Sequence, residues 1–211
     1  SHNPKEYNGY KVFWNDGAQL INPHDKNVIN EVNSINISHV KFDGNKELIN
    51  IIGADVDSAY FAKVKSLSLS PEIIKQHKNL CIVYSPLHGS GTEVVPKALA
   101  DYGFSNVNIV GEQSQPDGNF PTVKSPNPEE TSAMQMALEL GTKINAALIM
   151  ATDPDADRVG IGIKNNKGEY ILLNGNQTAS IIVYYLLNAY KSKGLLTDKH
   201  YIVKTIVTTE L

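Results

Sequence analysis

Polar and apolar blocks alternate along the chain in two rhythms. Apolar residues at helical spacing predict helices over 26–33, 57–66, 94–102 and 176–191, and Pro71 opens a further short one. Compact apolar runs predict strands over 79–84, 107–110, 147–152, 159–163, 169–173 and 201–207. Asn127 is read as a helix N-cap, Pro128 as the first helical residue and Glu130 as the acid of a capping box, for a helix that runs to about Leu140 and stops at Gly141. Gly103 and Gly194 close two other helices. Val12–Trp14 and Ala18–Ile21 flank Asn15-Asp16-Gly17 as a surface hairpin, and Asn165–Gly168 turns a second one. On the 176–191 helix, Ile181, Ile182, Tyr185, Leu186 and Ala189 share one face and read as core material. Strands alternating with helices make the whole an α/β protein.

The 211 residues suffice for one large domain or parts of two. A hydrophobic fraction of 41% and a charged fraction of 19% suit an ordinary globular protein. The net charge of −3 offers no basic footprint for nucleic acid, and no apolar stretch is long enough to span a membrane. The single cysteine, Cys81, excludes an internal disulfide and suits a reducing, cytoplasmic setting. Its place in an apolar run reads as buried filler. His24 and His39 read as surface histidines. The segment 22–50 is polar and rich in asparagine, and the chain reads as a piece cut from a longer protein.

The run from Ala147 to Thr152 ends in three acids at alternate positions, Asp153, Asp155 and Asp157, followed at once by Arg158. Three neighbouring carboxylates repel one another. A hard divalent cation such as Mg²⁺ gives a reason to gather them, and Arg158 beside it has a planar fork suited to phosphate. An acidic turn in solvent is the bland alternative. A calcium loop of the EF-hand type fits poorly, because its sixth and twelfth positions would be Arg158 and Lys164 instead of glycine and glutamate. A phosphatase with Asp153 as nucleophile, of the haloacid-dehalogenase kind, is a further alternative, although Asp157 replaces its usual threonine or valine. Upstream, Ser85-Pro-Leu-His88-Gly89-Ser90-Gly91 joins a strand to a helix as a glycine-rich turn whose N–H groups could face an anion; tight packing explains it equally well.

Ser1-His2-Asn3-Pro4, followed by Tyr7-Asn8-Gly9-Tyr10-Lys11, resembles the active-site loop of the α-D-phosphohexomutase superfamily, the phosphoglucomutases and phosphomannomutases. The Asp-x-Asp-x-Asp-Arg of residues 153–158 is similar to that family's metal loop, and the Pro-Leu-His-Gly-x-Gly of 86–91 and Pro-Asn-Pro-Glu of 126–129 add to the match. The stretch around Tyr10–Gln19 looks closest to the phosphoglucomutase and phosphopentomutase branch. The resemblance implies mixed sheets flanked by helices. Residues 1–50 would be the end of a first domain with the phosphoserine loop, 51–168 a complete second domain with the metal loop, and 169–211 the truncated start of a third.

The resemblance further implies a Mg²⁺-dependent transfer of a phosphoryl group on a hexose 1-phosphate or 6-phosphate through a hexose 1,6-bisphosphate. Ser1 would carry the phosphoryl group. Ser1, Asp153, Asp155 and Asp157 would hold the metal, Lys11 and Arg158 would neutralise the transferring group, and His2 would support the serine loop or assist proton transfer. A divalent-ion-binding module without turnover stays open beside this reading. No oligomeric state is implied.

Overall fold

Ile82, Val83, Tyr84 and Ser85 form β1 (Ile82–Ser85), and all four are buried, as a strand with parallel neighbours on both edges must be. The computed structural model describes residues 2–3, 5–7, 9–206 and 208. In it β1 pairs in parallel with β2 (Val107–Ile109) and with β3 (Leu148–Thr152). β4 (Val159–Lys164) runs antiparallel to β3, and β5 (Tyr170–Leu173) antiparallel to β4. The order is β2-β1-β3-β4-β5, a mixed sheet.

Parallel neighbours need long crossovers, and two helices supply them: α4 (Gly91–Tyr102) between β1 and β2, and α5 (Thr131–Ile144) between β2 and β3. The antiparallel half needs only tight turns. Residues 153–158 turn β3 into β4, and the expected Asn165–Gly168 turn joins β4 to β5. Because β1 and β3 lie side by side and point the same way, with Ser85 opposite Ala151, their ends deliver the glycine-rich turn and the acidic turn to one edge of the sheet. Such carboxyl edges are where α/β sheets bind ligands.

α5 packs on β1 and β3, with Met134 and Ala137 against a core that includes Val83 and Ile149, none of them exposed. Two expectations about α5 are corrected here. Its N-cap is Glu130, three residues later than Asn127; the Asn127 side chain instead accepts the Glu129 N–H at 3.1 Å in a separate turn before the helix. That turn wedges Pro128 against β4, where a Cβ on Gly160 would lie 2.3 Å from the Pro128 carbonyl oxygen. Gly141 does not stop α5. It is buried inside the helix because Ile149 fills the space a side chain would need, and Asn145, in the left-handed region, ends the helix.

α2 (Ala54–Ser66) leans on α4, with Lys97 Nζ 4.2 Å from the Phe61 ring centre and the Tyr102 hydroxyl donating to the Val64 carbonyl at 2.8 Å. α3 (Pro71–Gln76) starts at Pro71 as expected. α1 (His24–Ser34) buries no residue, and the 12–21 hairpin reduces to one bridge between Phe13 and Gln19. Helix α6 (Gly175–Ser192) is opened by a capping box between Asn174 and Gln177. Its expected core face is not core in this chain: Ala189 is buried, but Ile181 and Ile182 are 55% and 49% exposed. On that face the Tyr185 hydroxyl donates to Ser70 Oγ at 3.0 Å, and Leu186 lines a shared cavity with Leu196, His200, Tyr201 and Ile202. The strand expected over 201–207 is likewise absent, since 201–205 has no regular structure and no ladder partner among the described residues, and Val207 lies outside them. Among the described residues no helix is long and apolar enough to cross a membrane.

Candidate metal centre

Asp153 leaves the end of β3 fully buried, and the chain turns sharply behind it. The Ala156 N–H closes the turn on the Asp153 carbonyl at 2.9 Å, with Ala156 in the left-handed region at φ 57°. The Arg158 N–H donates to Asp153 Oδ1 at 3.0 Å. Asp153 Oδ2 is buried without a hydrogen-bond partner among the described residues. A naked buried carboxylate oxygen is costly unless something positive completes it.

Groups of positive or donor character surround that oxygen at longer range. His2 Nδ1 lies 3.7 Å from Asp153 Oδ2 and 3.3 Å from Asp155 Oδ1. Arg158 Nε is 3.9 Å from Asp153 Oδ2 and 3.9 Å from Asp157 Oδ1. One donor atom each from His2, Asp153 and Asp155 falls within a 4.8 Å group. Burial pushes the Asp153 carboxyl above the usual carboxylate range, helped by its acidic neighbours and opposed by the Arg158 N–H. Asp155 moves the other way: burial raises it, but the His2 ring, the Asp153 carboxyl and its own backbone N–H together hold it lower. Hard oxygen donors with one buried oxygen unsatisfied fit Mg²⁺.

The structure therefore joins four of the expected residues, His2, Asp153, Asp155 and Arg158, across a sequence separation of 153 between His2 and Asp155. Asp157 stands at the rim and reaches the group through Arg158. Lys11 is exposed, and no hydrogen bond or ion pair connects it to the acidic turn among the described residues. Ser1 lies outside the described residues.

The glycine-rich turn braces the acidic loop, and that use overrides its reading as an anion cradle. The Gly89 N–H is bonded to the Pro86 carbonyl and the Ser90 N–H to the Pro154 carbonyl, at 2.9 and 2.8 Å, so neither faces an anion. A Cβ on Gly89 would lie 2.2 Å from Pro154 Cα, and one on Gly91 would meet the Tyr84 hydroxyl at 2.2 Å. Tyr84 is itself tied to Thr152 Oγ1 at 2.8 Å, and burial pushes its phenol up to about 12, with the Thr152 bond opposing. The sequence reading missed Tyr84 as a support, because an isolated buried polar residue leaves no periodic trace.

Residues 58–168 match the family model described as phosphoglucomutase/phosphomannomutase, alpha/beta/alpha domain II, and residues 1–38 match that of domain I. A phosphoglucomutase of Staphylococcus haemolyticus is 35% identical over 213 residues, covering 100% of this chain and 38% of that protein. A phosphopentomutase of Mus musculus is 33% identical over 201 residues, covering 92% and 32%. The chain spans about a third of the length of these curated relatives. A solved structure of a phosphoglucomutase/phosphomannomutase family protein from Burkholderia thailandensis superposes with a TM-score of 0.50 at 19% identity, over 63% of this chain and 26% of that one, a likeness of fold.

Proposed function

The chain belongs to the phosphoglucomutase/phosphomannomutase family, and from that premise we propose that it carries the phosphoserine loop and the metal loop of an enzyme moving a phosphoryl group between two oxygens of a sugar phosphate. The reaction is of the hexose 1-phosphate to hexose 6-phosphate type, through a bisphosphate. The observation that carries this reading is the meeting of His2, next in sequence to Ser1, with Asp153 and Asp155. Chain folding alone gives no reason to bring a serine loop and an acidic turn together from so far apart.

Phosphoryl transfer asks for positioning and charge neutralisation more than covalent help. Mg²⁺ held by Asp153, Asp155, Asp157 and an oxygen on Ser1 would supply charge neutralisation at the transferring group. In the transfer, the bond from Ser1 oxygen to phosphorus breaks, the sugar hydroxyl forms its own bond to phosphorus, and the proton of that hydroxyl passes by way of a base to the departing Ser1 oxygen. Lys11 is our choice for handling that proton and for approaching the phosphoryl group; Arg158 presents fixed donors from beside Asp153. His2 ties the serine loop to Asp155. The same proposal takes residues 1–50 as the end of one domain, 51–168 as a second, and 169–211 as the start of a third joined to it through the β4–β5 ladder. It also places the protein in the cytoplasm. The chain by itself is expected to show negligible mutase turnover.

Incubation of the 211-residue chain with glucose 1,6-bisphosphate and Mg²⁺, followed by peptide mass spectrometry, tests the assignment. Phosphate is expected on the peptide that starts at Ser1 and absent after Ser1→Ala. Phosphate on Asp153 instead, or on neither residue, would contradict it.

A further inference from the structure

Leu87 and His88 are consecutive, buried, non-glycine residues that both sit in the left-handed region, at φ 46° and 61°. Side chains disfavour that conformation, so it persists only where the surroundings impose it. The surroundings here are a chain of buried and half-buried polar groups. Ser85 Oγ donates to Gln113 Oε1 at 2.6 Å, and Gln113 Nε2 donates to Thr122 Oγ1 at 3.0 Å. Thr122 Oγ1 meets His88 Nε2 at 2.9 Å, and His88 Nδ1 meets the Gln115 carbonyl at 3.1 Å. A carbonyl only accepts, so Nδ1 carries the proton, and in the neutral ring Nε2 accepts the Thr122 hydroxyl. The backbone repeats the grip: the His88 N–H donates to the Gln113 carbonyl at 2.9 Å, and the Asp117 N–H to the His88 carbonyl at 3.0 Å. Both ring nitrogens and both backbone groups of one residue thus hold the proline-rich loop.

The next two residues hold the acidic loop. Gly89 lies flat against Pro154, and Ser90 gives both its N–H and its hydroxyl to the Pro154 carbonyl, at 2.8 and 3.0 Å. Pro154 stands between the two carboxylates that converge at the candidate metal centre. We infer that His88 is a positioning residue: by locking the 113–122 loop to the turn after β1, it fixes the peptide between Asp153 and Asp155 and so sets where their carboxylates stand. What that position serves rests on the metal-loop reading above; the mechanical coupling does not.

The test reads the coupling in the metal-free 211-residue chain by NMR-detected amide exchange. The reporter amides are Arg158, bonded to Asp153 Oδ1, and Ala156, bonded to the Asp153 carbonyl; the control is Ile82, bonded to the Asn106 carbonyl at the far side of the sheet. Thr122→Val removes, at nearly constant volume, the partner of His88 Nε2 and with it the acceptor of Gln113 Nε2. It is expected to speed exchange at Arg158 and Ala156 by about tenfold and to leave Ile82 unchanged. His88→Leu should do more, and His88→Gln, which keeps a donor and an acceptor, should recover part of the loss. Unchanged Arg158 exchange in Thr122→Val, or equal acceleration at Ile82, would overturn the inference. A parallel Mn²⁺ titration by EPR separates the two readings: a wild-type chain that binds no Mn²⁺ sinks the metal assignment, while the exchange comparison still decides the role of His88.

Discussion

Asparagine in place of Asp153 is expected to abolish metal binding and, at the same time, to stabilise the metal-free chain by about 1–2 kcal/mol at neutral pH. The residue is fully buried, and its Oδ2 has no hydrogen-bond partner among the described residues. Asparagine keeps the oxygen that accepts the Arg158 N–H and removes the charge that burial penalises. The lost attractions to His2 and Arg158, at 3.7 and 3.9 Å, involve partly exposed partners and are worth little. The sign follows from linkage. Burial raises the folded-state pKa of Asp153 above its ordinary value, so the folded wild type keeps that proton longer than the unfolded chain. Its stability therefore declines, relative to the variant, as pH rises from the ordinary carboxylate pKa through the raised one. The advantage of the variant should vanish in acid and be complete above the raised pKa. Urea denaturation of both proteins across that range measures it. A variant less stable than wild type at pH 7, without metal, would show that Asp153 is satisfied in some other way.

Gly89→Ala is expected to cost about 2–3 kcal/mol and to weaken metal binding together with stability. The added Cβ would lie 2.2 Å from Pro154 Cα and 2.6 Å from the Pro154 carbonyl oxygen. The obstacle is backbone on both sides, so no rotamer change relieves it; the turn after β1 and the acidic loop must move apart. That movement breaks the paired contacts from Ser90 to the Pro154 carbonyl. By contrast, alanine at Gly111 or Gly118, where nothing lies within 4 Å, should leave metal affinity as it is. Denaturation curves beside a Mn²⁺ titration check both statements. Full affinity in Gly89→Ala would mean that the acidic loop holds its shape without the brace.

Much of this fold was legible because local pattern and tertiary role agree. The run 147–152 ending in acids became β3 and its turn, and Asn165–Gly168 became a hairpin turn, since each is fixed by neighbours close in sequence. The acidic centre was legible for a similar reason: three carboxylates and an arginine within six residues carry their chemistry in their order. The errors fall where distant packing decides. Gly141 looks like a helix stop until Ile149 is seen to occupy its side-chain space. Asn127 has the right identity for an N-cap, but Pro128 is wedged against Gly160, and the helix waits until Thr131. The apolar face of α6 has the period of a core helix, yet Ile181 and Ile182 on it stay about half exposed. Gln113, Thr122 and His88 were invisible as a unit because hydrogen bonds between loops leave no spacing in the sequence.

The central claim is that the acidic turn and the segment after Ser1 form one preorganised cation site. A Mn²⁺ titration of the chain by EPR, beside Asp155→Asn, tests it most directly. Asp155 is the partner of His2 and lies at the surface, so its replacement removes a ligand without disturbing the core. The account expects saturable binding at one site in the wild type, weakened at least about tenfold in the variant. Weak and equal binding by both proteins would contradict it, and Asp153, Asp155 and Asp157 would then be an acidic turn that holds no metal.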